Sequence, residues 1–122
     1  MKHGLSILSL IVVNVILATA GQTVTKIGVQ KIGLFTEMPL TVFVFKSFLS
    51  PFIILGLFLY LLSAVIWFMV LSEAELSIAY PTLSFGYILV LLIGYFFLGE
   101  SLTIAKCLGV LLICSGIYMI FR

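Results

Sequence analysis

Charge is scarce in this sequence. Asp, Glu, Lys and Arg make up 8% of its 122 residues, where a soluble domain carries roughly 25%. With 64% hydrophobic residues and a mean hydropathy of +1.43, too little polar surface is left to hold the chain in water. A soluble enzyme or binding domain is thereby excluded. The net charge of +2 is too small to suggest a nucleic-acid partner. His3 is the single histidine and stands beside Lys2, so no ligand set for a metal is present and no cofactor is expected. Cysteine is limited to Cys107 and Cys114. Seven residues of helix hold them ~10 Å apart, beyond the ~7 Å that a disulfide spans between Cα atoms. They read as small apolar packing residues. Acids are missing altogether between Met1 and Thr36.

Long apolar runs fill the rest. A membrane span needs ~20 mostly apolar residues, and four stretches qualify, at approximately 4–25, 50–72, 77–98 and 102–121. The expected fold class is an all-α polytopic membrane protein, a single unit of four transmembrane helices. Lys2 and His3, the apolar run and Ala18-Thr19-Ala20 also have the form of a cleavable signal. Three further spans follow, which favours a retained first helix. The segment 31–49 reads as an interfacial connection, with 41–49 a short helix and Pro51 in the first turn of span two, where a missing N–H costs little. A single kinked helix from 41 to 72 is the alternative. The short links "SEAELS" and "LGES" force antiparallel hairpins, with Gly99 suited to a helix end and Ser101 to capping the next. Lys26, Lys31, Lys46 and Lys106 lie toward one side, Lys2 and Arg122 toward the other. The positive-inside rule would place both termini outside. That count treats Lys26, Lys46 and Lys106 as loop charges, so orientation stays open.

Polar residues inside the spans are the informative ones, since an ionisable group at mid-membrane costs ~2.5–3.5 kcal/mol. At 100° per residue, Asn14, Gly21 and Thr25 fall within about 20° of one line, with Gln22 about 80° and Lys26 about 120° round from Asn14. Two readings stand for this face. Small residues and hydroxyls pack helices together, and Lys26 can snorkel to the interface; or the face lines a polar site. On span three, Tyr80, Ser84, Tyr87, Leu91 and Gly94 share one face, either as an aromatic interfacial belt or as a cavity wall. Pro81 frees a carbonyl there, and loosened backbone at membrane depth belongs where it is buried or lines a cavity. Gly109 and Gly116, two turns apart in span four, allow another backbone close approach. Glu73, Glu75 and Glu100 sit at span ends and read as solvated charges.

Taken in order, "GQTVTKIG", a tryptophan followed by "LSEAELSIAYPTLSFGYILV", "FFLGESL" and "GVLLICSGIYMI" resemble the drug/metabolite transporter superfamily. The four-helix members are similar: the small multidrug resistance proteins and the small EamA-like proteins. The resemblance covers nearly the whole chain except 31–49. Small multidrug resistance exporters use a span-one glutamate to exchange protons for cationic drugs. Here Asn14, Ala18 and Thr19 occupy that region, and Leu83 stands where that family has a tryptophan after "AY". "GQ…K", "LSxAYP" and "GYxLV…GE" are more similar to the subunits of aminoarabinose–undecaprenyl phosphate flippases. That resemblance implies translocation of a polyprenyl-phosphate-linked sugar across the bacterial inner membrane.

On that reading Gln22 and Lys26 meet the phosphate, Lys46 adds a second cation, and Asn14, Tyr80, Ser84 and Tyr87 line the head-group cavity. No covalent chemistry, and hence no enzyme activity, is expected. The partners are membrane lipid and a second four-helix chain, identical or similar, packed through Gly109 and Gly116. That second chain is expected to complete a cavity too small in one protomer. A proton-coupled exporter of cationic compounds and a non-transporting accessory subunit are the rival readings.

Overall fold

A computed structural model describes residues 2–122, with side chains placed from Ser6 onward. The Lys2 and His3 side chains invoked above, and Met1, lie outside the described residues. Four helices in it are long and apolar enough to cross a membrane, and the fold is all-α. In chain order the elements are α1 (Lys2–Ile32), α2 (Leu40–Leu49), α3 (Pro51–Glu73), α4 (Leu76–Thr82), α5 (Gly86–Phe96) and α6 (Ile104–Phe121).

The first span is longer than the sequence suggested. Nothing in "QTVTKIGVQKI" breaks a helix, and α1 continues seven residues past position 25 to Ile32. Lys26 is therefore an interior residue of α1, not its terminus. The 31–49 connection shrinks accordingly, because residues 31 and 32 are helical. Helix α2 is separate from α3: Ser50 between them is extended, with ψ 122°. A following proline drives a residue out of the helical region, so Pro51 both ends α2 and opens α3. Span three is not continuous. Pro81 sits inside α4, and a 3-10 turn at Leu83–Phe85 joins α4 to α5. Span four starts at Ile104, not 102, and its cap is Thr103 rather than Ser101, the Thr103 hydroxyl accepting from the Lys106 N–H at 3.2 Å.

Helices α1 and α3 form the main packing seam. Gly21, Thr25 and Gly28 are spaced i, i+4, i+7 on α1 and meet Gly56 and Ile53 of α3. A Cβ on Gly21 would lie 3.0 Å from the Gly56 carbonyl oxygen, and one on Gly28 would lie 2.9 Å from the Phe52 Cβ. Without water to drive helices together, such small-residue contacts supply the attraction in lipid. At the end of the seam the Lys31 ammonium stands 4.0 Å from the centre of the Phe52 ring, a cation–π contact. Toward the other end Ile11, Val15, Val70 and Ala79 form the buried apolar cluster.

Gly56 carries the sharpest expectation for stability. Its missing Cβ leaves room for Thr25 and for the Gly21 carbonyl, 2.9 Å from where a Cβ would be. The Gly21 oxygen is backbone and cannot swing away. Overpacking of this kind costs about 1–3 kcal/mol, so Gly56→Ala should lower the melting temperature of detergent-solubilised protein.

Candidate functional site

Hydroxyls in these helices mostly satisfy themselves. Thr23 and Thr25 donate to the carbonyls of Thr19 and Gly21, at 2.8 and 2.7 Å, and Ser63 donates to that of Tyr60 at 2.8 Å. In lipid this is the cheapest way to pair a polar group. Asn14 is different. It is 4% exposed, and its Oδ1 is a buried acceptor with no hydrogen-bond partner. An unpaired buried amide oxygen costs about 1–3 kcal/mol, which the fold carries at one wall of a cavity.

That cavity has a volume of about 610 Å3 and opens between α1, α3 and the broken third span. Asn14, Thr19 and Gln22 come from α1, Tyr60, Ser63 and Trp67 from α3, and Tyr80, Ser84 and Tyr87 from α4, the 3-10 turn and α5. Pro81 and the 3-10 turn that follows it lie in the stretch of the third span that lines this space. Trp67 and Tyr80 meet edge to face, 6.3 Å between ring centres, and make one aromatic wall. Among the described residues no Lys, Arg, Asp or Glu side chain lines it. One chain thus outlines an open cleft within the ~300–1,000 Å3 typical of ligand sites.

A second, smaller cavity of about 260 Å3 lies farther along α1. Gln22 lines both. With it stand Thr23 and Lys26 of α1, Gly94 of α5, and Glu100 in the link to α6. The two spaces form a track along α1 from Asn14 through Gln22 to Lys26, polar first and charged second.

Of the residues singled out from sequence, Asn14, Gln22, Tyr80, Ser84 and Tyr87 come together at the first cavity, and Lys26 joins at the second through Gln22. Lys46 does not. It lies on α2 beside Thr41, Val42, Phe45 and Leu49, outside both cavities, because α2 is a separate helix. The line of Asn14, Gly21 and Thr25 divides: Asn14 faces the cavity, while Gly21 and Thr25 belong to the packing seam. Leu91 stays out of both cavities and Gly94 lies in the second. Gly109 and Gly116 face open space, on the helix with the least buried surface. Tyr60, Ser63 and Trp67 were missed, although their i, i+3, i+7 spacing marks one face of α3. Glu100 was missed as well. Cys107 and Cys114 are free, and among the described residues no group of three His, Cys, Asp or Glu gathers to hold a metal.

Comparison with known proteins adds the family. A curated protein of Serratia proteamaculans (strain 568), "Probable 4-amino-4-deoxy-L-arabinose-phosphoundecaprenol flippase subunit ArnF", is 35% identical over 111 residues, or 88% of this chain and 85% of that protein. The chain belongs to the ArnF flippase-subunit family. A flippase subunit named ArnE in Yersinia pestis (strain Pestoides F) is 41% identical over 58 residues, 48% of this chain and 51% of that protein. No family model matches the chain, and no solved structure does. The resemblance carried by the "GQ…K", "LSxAYP" and "GYxLV…GE" motifs is borne out by the ArnF and ArnE relatives.

Proposed function

We propose that this chain is one subunit of a flippase that carries an anionic polyprenyl-phosphate-linked sugar across the bacterial inner membrane. The observation that carries the reading is the track on α1: an uncharged, hydrogen-bonding, aromatic-walled cavity that passes through Gln22 to a cation at Lys26. A glycosyl phosphate has that order of groups. Sugar hydroxyls pair with Asn14, Thr19 and Ser84, and the apolar sugar faces lie against Trp67, Tyr80 and Tyr87. Lys26 and Gln22 meet the phosphate by a charge-assisted and a neutral hydrogen bond, while the prenyl tail stays in lipid. No bond in the substrate is made or broken; transport is a change of access around a bound head group.

The relatives are named as subunits of a flippase for 4-amino-4-deoxy-L-arabinose-phosphoundecaprenol, which supports a lipid-linked sugar as cargo and a second short chain as partner. The open α6 face with Gly109 and Gly116 is where that second chain packs. A cation exporter of the small multidrug type uses an acid on its first span; α1 here carries none.

Competition on the purified protein tests the reading. A fluorescent polyprenyl-phosphate glycoside should bind and be displaced by the unlabelled lipid. A hundredfold excess of a quaternary ammonium or phosphonium cation should leave it in place. Displacement by the cation, with no binding of the glycoside, would assign the cavity to cationic compounds.

A further inference from the structure

Glu100 ends a span and would ordinarily point into water. It is exposed here too, but the turn that precedes it sets its direction. Gly99 adopts φ +69°, a conformation that L side chains rarely take, and reverses the chain so that the Glu100 N–H donates to the Gly94 carbonyl at 2.9 Å. The side chain then runs back along α5. A Cβ on Gly94 would lie 2.8 Å from the Glu100 Oε2, so glycine at 94 is what gives the carboxylate its place. The space it reaches is the smaller cavity, where Lys26 is the one cation among the described residues. The Lys106 ammonium, the nearest other cation in sequence, is held 2.6 Å from the Ser101 carbonyl instead.

We propose that Glu100 is the resident counter-ion of Lys26: it balances that charge across the cavity when the site is empty and is displaced from it when a lipid phosphate binds. This rests on the reading of Lys26 as the phosphate-binding cation. An ammonium in a lipid-facing cavity is costly without a compensating charge, and one fixed acid supplies it. The same acid repels the incoming phosphate. Glu100 therefore sets how tightly the head group is held, so that a transporter that must let go of its cargo does not bind it too well.

The test measures binding of a short-chain polyprenyl monophosphate, without sugar, to the purified full chain. Four proteins are compared: wild type, Lys26→Gln, Glu100→Gln and the double variant. Glu100→Gln should tighten binding by about threefold to tenfold, the range of a partly screened charge interaction. In the Lys26→Gln background the same change should alter the Kd less than twofold, the non-additivity that marks two coupled groups. Gly94→Ala keeps the charge but forces the flexible carboxylate end aside, and should also tighten binding; it serves where Glu100→Gln fails to fold. An unchanged or weaker Kd on removing the acid would overturn the counter-ion role. If Lys26→Gln binds like wild type, the failure lies with the phosphate site itself.

Discussion

Lys26→Gln should weaken binding of the lipid-linked sugar at least tenfold, the largest loss expected from any single residue of the track. In the loaded state the ammonium faces a phosphate, and truncating one partner of a buried charge pair typically costs ~2–5 kcal/mol. Lys26 is exposed in the empty chain, so the lower end applies, and ~1.4 kcal/mol already equals a factor of ten. Lys26→Arg should retain part of the affinity, since it keeps the charge but changes the donor geometry. Gln22→Ala should be milder, near the ~1 kcal/mol of a neutral hydrogen bond. Equilibrium binding of the glycolipid to the four purified proteins orders them. If Lys26 only snorkels to the interface, Lys26→Gln removes a cost and affinity stays at the wild-type level.

The paired change Gly109→Leu and Gly116→Leu should separate the assembly into single chains. Neither glycine has an atom of its own chain within 4 Å of where a Cβ would stand, so two leucines are accommodated by the isolated protomer. Another helix backbone packed there has no such room, and close approach is the source of helix association in lipid. The variant should keep the wild-type helix content by circular dichroism while the mass in detergent, by light scattering, falls to one chain. An unchanged assembly mass would move the interface to another face.

How much was legible in the sequence differs by element. Spans two and four were readable because apolar length alone defines them. The end of α1 was not: loss of hydropathy after Thr25 looks like loss of helix, yet the backbone has no reason to stop before Gly33. The cavity residues on α1 and span three announced themselves by being polar where polarity is costly. Tyr60, Ser63 and Trp67 sit in a run so apolar that no local contrast marks them, and only the packing of α3 beside α1 and the third span brings them to a site. Gly21 and Thr25 shared a line with Asn14 but not its role, because Gly56 on another helix decides which part of that line packs. Lys46 looked like a second cation on charge alone; the break at Ser50 places it elsewhere. Glu100 is exposed, as a span-end charge is expected to be, but its place at the smaller cavity depends on the φ of Gly99 and on the absent side chain of Gly94, neither visible as a pattern.

Movement of the head group is the central claim, and translocation measures it. The purified assembly in proteoliposomes, with a fluorescent polyprenyl-phosphate glycoside placed in one leaflet, should expose the label to an impermeant quencher on the opposite side. The rate should exceed that of protein-free vesicles and fall at least tenfold with Lys26→Gln at matched incorporation, the same factor expected in affinity. A rate equal to that of protein-free vesicles, or equal in wild type and Lys26→Gln, would contradict transport through this site.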